Sequence, residues 1–201
     1  MISKIFITLL LTLLIFNGCN KKDESKENSV TKNNVEKNSS KTTKSDEQNQ
    51  SQNKSKNILK MLSSDDKEYK LIADYNGLKF EGFEGKIIIL DFFATWCPPC
   101  KVEIPHLVNL QKKYKDKIQI FSVLMEQNRD NLEIEEFKKE FDINYPILNS
   151  KENFFLSQAL GGIRSLPTIV VYDKSGAYFQ HYLGAVPEEI LDETIQKALK
   201  K

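Results

Sequence analysis

The sequence predicts an α/β domain built around a mixed β-sheet. Three observations carry this. Runs rich in Ile, Val and Phe alternate with segments of helical periodicity from about residue 69 to 200. Ile87-Ile88-Ile89-Leu90 is apolar without a break, the pattern of a central strand covered on both faces. Asn76-Gly77 and Ser175-Gly176 each divide two semi-apolar runs, so a hairpin is expected near each end of the domain.

Taken in order, Ile58–Ser63 reads as a short helix or lead-in. Tyr69–Ala73 and Leu78–Phe83 form the first hairpin around Tyr75-Asn76-Gly77. The strand at 87–90 follows. A helix is expected from Pro98 to Lys115, with Val102, Ile104, Leu107, Val108 and Leu110 apolar and a kink at Pro105. Ile118–Leu124 is a strand. Asn131–Phe141 is an amphipathic helix, Tyr145–Leu148 a short extended piece, and Asn153–Leu160 a helix stopped by Gly161-Gly162. Thr168–Tyr172 and Tyr178–Leu183 form the second hairpin. Pro187–Lys200 closes the chain as a helix with proline in its first turn. This order of elements gives a mixed sheet flanked by helices.

Two different segments precede this domain. Ile5–Phe16 is apolar apart from two threonines, follows Lys4 and precedes Gly18. Twelve residues of helix reach about 18 Å, short of a bilayer core of about 30 Å. The layout is that of an export signal over residues 1–18. Residues 20–57 hold nine Lys, six Asp or Glu, two valines and no aromatic side chain. They cannot bury enough apolar area to offset ordering, so they are expected to form a disordered tether with a reach of roughly 35 Å. The domain is therefore assigned to residues 58–201, long enough for a good core. The whole chain has 29 basic and 28 acidic residues, net +1, which gives no electrostatic case for nucleic acid.

The chemistry lies in Trp96-Cys97-Pro98-Pro99-Cys100. Two cysteines three apart at a helix start bring their sulfurs within bonding distance. Cys97 sits where free N–H groups and the positive end of the helix dipole favour a thiolate, so it is the attacking sulfur. Pro98 and Pro99 supply no N–H and stiffen the loop, so donors to that thiolate begin with Cys100. Cys100, one turn in and more buried, resolves the mixed disulfide. The competing readings are a structural disulfide and half a zinc site. Zinc lacks ligands, since only Cys19, His106 and His181 remain.

The segment from Ile89 to Lys101, followed by Glu103-Ile104-Pro105, resembles the active-site segment of thioredoxin-fold proteins, and within them the TlpA/ResA branch. The resemblance covers about residues 69–200 and implies a thioredoxin-like fold with an N-terminal hairpin and a central strand-helix insertion. It implies a membrane-tethered extracytoplasmic thiol-disulfide oxidoreductase, more often a reductant, whose redox group is the Cys97–Cys100 disulfide with no further cofactor. Leu166-Pro167-Thr168 is similar to the family's cis-proline loop. Asp91 matches the buried acid of ordinary thioredoxins, where many TlpA-like proteins carry Asn. Glu103 matches an acid near the dithiol of ResA-type proteins. A desolvated Asp91 would accept the Cys100 proton, and Glu103 would share the task. The competing readings place Asp91 at an exposed strand end and Glu103 on a solvated helix face. Trp96, Pro98, Pro99, Leu166 and Pro167 are expected to meet the client chain.

Phe16-Asn17-Gly18-Cys19 resembles a lipobox, which implies cleavage before Cys19 and lipid on its thiol. A plain signal peptide is the alternative. The expected protein is a lipid-anchored monomer, periplasmic or on the outer face of the cytoplasmic membrane, with outer-membrane anchoring the other placement. It would reduce client disulfides, with apocytochrome c haem-site cysteines among the family's clients, and be re-reduced by a membrane electron donor. A disulfide oxidase or isomerase, a thiol peroxidase and a non-catalytic binding module are the rival readings.

Overall fold

The computed structural model describes residues 57–74 and 77–201. The signal, Cys19, the tether up to residue 56 and the turn residues Tyr75 and Asn76 lie outside the described residues. The central element is β4, Ile87–Phe93, buried at all seven positions. It runs parallel to β5, Ile118–Leu124, and antiparallel to β7, Thr168–Tyr172. The short β6, Ile147–Leu148, and β8, Tyr178–Leu183, complete a five-stranded sheet in the order β6-β5-β4-β7-β8.

Alternation along β4 divides the core in two. Ile87, Ile89 and Phe93 face the helices α1, Pro98–Lys113, and α4, Glu188–Leu199, with Leu107, Leu110, Leu191 and Ile195 buried beside them. Ile88, Leu90 and Phe92 face the other way, onto Met61, Leu71, Phe80 and Phe121. Phe80 stacks on Phe121 at 4.0 Å between ring centroids. The remaining helices are α2, Asn131–Glu140, and α3, Glu152–Ala159. Asp130 caps α2 by accepting from the Leu132 N–H at 2.8 Å. Helix α1 runs unbroken through Pro105.

The second core is covered by a three-stranded sheet, not by a hairpin alone. Its strands are β1, Asn57–Leu62, β2, Glu68–Asp74, and β3, Gly77–Phe80, in that order. The expectation of a helix or lead-in at Ile58–Ser63 is corrected here. All six residues of β1 pair with β2, from Asn57↔Ala73 to Leu62↔Glu68. Four apolar residues in a run of six fit either period, and the available ladder on β2 decides it. Met61 and Leu59 point into the core while Ile58 and Leu62 are exposed. Gly77 and Gly176 are both required at this junction, since a Cβ on either would run into the other's strand or turn. The Leu78 N–H donates to the Gly176 carbonyl at 2.8 Å, and a Cβ at Gly77 would lie 1.8 Å from that oxygen. The start of β3 and the turn of the second hairpin are therefore docked backbone to backbone.

The boundary of the folded unit is testable. Deleting residues 20–56 removes two valines and no other apolar side chain, so the melting temperature should stay within a few degrees. Met61→Ala in the same protein empties a fully buried site. It should cost about 2–5 kcal/mol, a fall of roughly 5–15 °C by thermal melt. Equal melting temperatures for the Met61→Ala variant and its parent would show that β1 does not stabilise the domain.

Candidate active site

Strand β4 ends at Phe93 and Ala94-Thr95-Trp96 leads into α1. Cys97 is the N-cap of that helix, with φ −85° and ψ 109°. Its sulfur is bonded to that of Cys100, and it accepts from the Cys100 N–H at 3.3 Å. Pro98 and Pro99 take the first two helical positions, where a missing N–H breaks no intrahelical bond. They also leave the Cys97 sulfur with Cys100 as its backbone donor.

The expected contrast between an exposed Cys97 and a buried Cys100 is absent from the disulfide form. The two are 3% and 2% exposed. The asymmetry appears instead in the surface cleft, about 450 Å³, which Cys97 lines and Cys100 does not. Trp96, Pro98, Pro99, Met125 and Leu166 line it as well, with the 163–165 segment. Trp96 is 67% exposed, so it presents a ring to the solvent rather than to the core. The Leu166–Pro167 bond is cis. Pro167 itself is buried and does not line the cleft; Leu166 does. The Pro167 carbonyl accepts from the Gly184 N–H at 2.8 Å, and the Thr168 hydroxyl donates to the Ser165 carbonyl at 2.8 Å. The proline is thus held in the fold while its neighbours form the surface.

Two carboxyls lie behind the dithiol. Asp91 shares a strand face with Ile89 and Phe93, so its side chain points toward the core that contains Cys100. It is 2% exposed and sits inside β4, not at an exposed end. Oδ2 accepts from the Ser122 hydroxyl at 2.7 Å, while Oδ1 has no partner. Burial pushes this carboxyl up to about 7, against the weaker opposing effect of Ser122. Glu103, almost one turn after Cys100, is equally enclosed and not on a solvated face. Its Oε1 accepts from the Val186 N–H at 2.8 Å and its Oε2 has no partner. Burial, and then the charge of Asp91, push it up to about 8.

The sequence reading missed two members of this region. Tyr145 lies beside these acids with its hydroxyl buried and unpartnered, and burial raises it well above its ordinary value. The sequence places it only in a short extended piece, Tyr145–Leu148. Glu126 receives the Thr95 N–H at 2.6 Å and the Thr95 hydroxyl at 2.8 Å on one oxygen. It thereby anchors the loop one residue before Trp96. Nothing in its sequence neighbourhood, Met125-Glu126-Gln127, distinguishes it from a solvated loop residue. His106 bonds the Val186 carbonyl at 3.3 Å and His181 bonds the Tyr178 hydroxyl at 2.6 Å.

A cysteine pair at the head of a helix, with a cis-proline loop across the cleft, on a mixed sheet whose middle strand leads into the pair, defines a thiol-disulfide oxidoreductase of thioredoxin fold. Residues 82–199 match the model of the thioredoxin-like domain, and the chain belongs to that family. It is 31% identical over 130 residues to the thiol-disulfide oxidoreductase ResA of Bacillus thuringiensis subsp. konkukian, covering 63% of this chain and 73% of that protein. It is 28% identical over 113 residues to the thioredoxin-like protein YneN of Bacillus subtilis, covering 56% and 65%. Among solved structures it resembles a thiol:disulfide interchange protein of Chlorobium tepidum. There the TM-score is 0.57 at 27% identity, over 71% of this chain and 93% of that one.

The two acids make stability depend on pH with a definite sign. Their ordinary values are 3.8 and 4.5, and both are raised in the folded protein. Between about pH 4 and 8 the folded state therefore holds more protons than the unfolded one, so their contribution is lost as pH rises through that window. Asp91→Asn keeps an oxygen for Ser122 and removes the titration. Relative to wild type it should gain stability from pH 5 to pH 8.5, on the order of 3 kcal/mol, read by chemical denaturation at each pH. A difference that stays constant across that range would show that Asp91 ionises normally.

Proposed function

We propose that this protein is an extracytoplasmic, lipid-anchored reductant of protein disulfides, acting through Cys97 and Cys100. The observation that carries the reading is that Cys97 lines the open cleft and Cys100 does not. In the reduced protein the Cys97 thiolate attacks a client disulfide, which releases one client thiol and leaves a mixed disulfide. Cys100 then attacks Cys97, expels the second client thiol and closes the Cys97–Cys100 bond. Two electrons and two protons pass to the client. A membrane electron donor returns them in the resting cycle.

The electrostatics around the pair support this direction. A strong oxidant stabilises its thiolate, and so its reduced form. Here two prolines withhold N–H donors from Cys97, and two buried acids on the inner side oppose a second negative charge. Both features favour the disulfide and hence reducing power. Asp91, assisted by Glu103, takes the Cys100 proton in the second step. Trp96, Pro98, Pro99 and Leu166 form the client-facing surface, and Pro167 shapes the loop that carries Leu166. The apolar run at 5–16 and Cys19 after Gly18 support export and lipid attachment. They are the reason for placing the protein outside the cytoplasm, with Cys19 carrying the membrane anchor.

Cys100→Ser should stall the reaction as a mixed disulfide on Cys97, visible by non-reducing electrophoresis and mass mapping after incubation with insulin. Cys97→Ser should trap nothing. With both cysteines present, Asp91→Asn combined with Glu103→Gln should lengthen the life of the mixed disulfide about 10–100-fold in acid-quench experiments between pH 6 and 9. The redox potential should lie near −270 mV. A value near −120 mV would make the protein an oxidant, and trapping on Cys100 would reverse the roles of the two sulfurs.

A further inference from the structure

Beside the dithiol cleft, toward the open edge of the sheet, lies a second groove that sulfur exchange does not use. It encloses about 320 Å³. Thr168, Val170 and Tyr172 of β7 line it together with Leu183, His181 and Tyr178 of β8. These residues oppose one another in the antiparallel register, Thr168↔Leu183, Val170↔His181 and Tyr172↔Tyr178. Opposed residues share a face, so the six side chains form one strip. β8 is the last strand of its sheet, and no further strand flanks the strip among the described residues.

The burial along this strip is uneven in a way that core packing does not require. Val170 and Tyr172 are buried, yet Leu183 is 69% and Tyr178 52% exposed. Two large apolar side chains thus border an open apolar channel. Isolated exposed apolar residues are ordinary on a protein surface, but a pair lining a groove marks a contact. The groove also adjoins the redox cleft. Ile163, Arg164 and Ser165 line both cavities. They directly precede Leu166, and the bond from Gly184 to the Pro167 carbonyl ties the end of β8 to the same loop. Arg164 is exposed at this crossing and forms no ion pair with an Asp or Glu among the described residues.

We propose that this groove is a second binding site for the client polypeptide. It takes one large apolar side chain from the extended segment that carries the client disulfide, and Arg164 pairs with an acidic client residue beside it. The inference rests on the attack by Cys97 described above, which places the client sulfur over the neighbouring cleft. An extended chain advances about 3.3 Å per residue, so a side chain two to six residues from the client cysteine spans the shared 163–165 segment. The groove is the size of one or two side chains, near the lower limit of ligand sites. A second copy of this chain would need about 800 Å² on each partner, more than a strip with two large exposed apolar side chains supplies.

The test is single-turnover reduction by the pre-reduced full chain. The probes are decapeptides with one cysteine joined to glutathione, with Phe placed two to six residues away on either side. An all-Ser peptide and hydroxyethyl disulfide serve as references. At one Phe position the half-saturating concentration should fall about tenfold below that of the all-Ser peptide. Leu183→Ser and Tyr178→Ser should each remove most of that gain and leave hydroxyethyl disulfide reduction unchanged. An Asp beside the Phe should add about threefold, lost in Arg164→Ala.

The groove assignment is overturned if no Phe position improves binding, or if the gain survives both β8 variants. It is also overturned if those variants slow hydroxyethyl disulfide, or if light scattering shows that they convert a dimer to a monomer. An Asp that adds nothing removes Arg164 from the site. A wild-type protein that reduces neither reference compound overturns the redox reading and this inference together, whereas loss of the Phe gain alone leaves the redox reading standing.

Discussion

Burial of β4 is the constraint on which the molecule depends. A strand covered at seven successive positions must satisfy its backbone through neighbours on both sides. It does so through β5 and β7, with residue-for-residue pairing along nearly its whole length. Those pairings fix where the strand ends, and therefore where Thr95, Trp96 and Cys97 leave the sheet. They also set the height of Thr168, which pairs with Phe92 and follows Pro167. The cysteine pair and the cis-proline loop face each other because both are attached to adjacent strands in one register.

The same burial explains the chemistry behind the sulfurs. Alternation would give position 91 an apolar side chain like those at 87, 89 and 93. A carboxyl there meets a single hydroxyl, that of Ser122, directly opposite in the parallel register. One donor does not compensate for loss of water, so the acid is held protonated into the neutral range. Glu103 approaches from the helix side and each acid discourages ionisation of the other. Against this stands the helix terminus, which favours negative charge at Cys97 but acts through the Cys100 N–H alone among the first three helical positions. Two opposed fields thus meet across one disulfide.

Much of this was legible in the sequence because local pattern and tertiary demand agree. The run 87–90, the strands at 118–124, 168–172 and 178–183 and the hairpin between the last two occur where composition and turn residues place them, while the strand expected at 78–83 ends at Phe80. Residues 58–63 were misread because a short apolar run carries no period of its own, and its partner strand lies outside the window that is read. The similar burial of Cys97 and Cys100 was not legible either, since position at a helix start does not say how neighbouring side chains cover each sulfur. Glu126 and Tyr145 were missed for different reasons. Glu126 is a charged loop residue whose importance lies in Thr95, 31 positions earlier. Tyr145 stands in a short extended piece with no chemical motif, and its unpartnered hydroxyl shows only in the structure.

That hydroxyl belongs to a wider pattern. Asp91 Oδ1, Glu103 Oε2 and Tyr145 Oη are all buried without a partner, and all three groups influence one another electrostatically. Each unsatisfied atom costs about 1–3 kcal/mol. Converging three of them in one region of the core is unfavourable for stability alone, and apolar side chains of the same size would pack there without that cost. The fold tolerates them because the two cores on either side of β4 are otherwise continuous and apolar. Departures from local rules of this kind gather at functional sites. Here they leave unpaired oxygens in the core that also contains Cys100. Raised into the neutral range, these carboxyls still hold protons at pH values where an exposed carboxylate has lost its own.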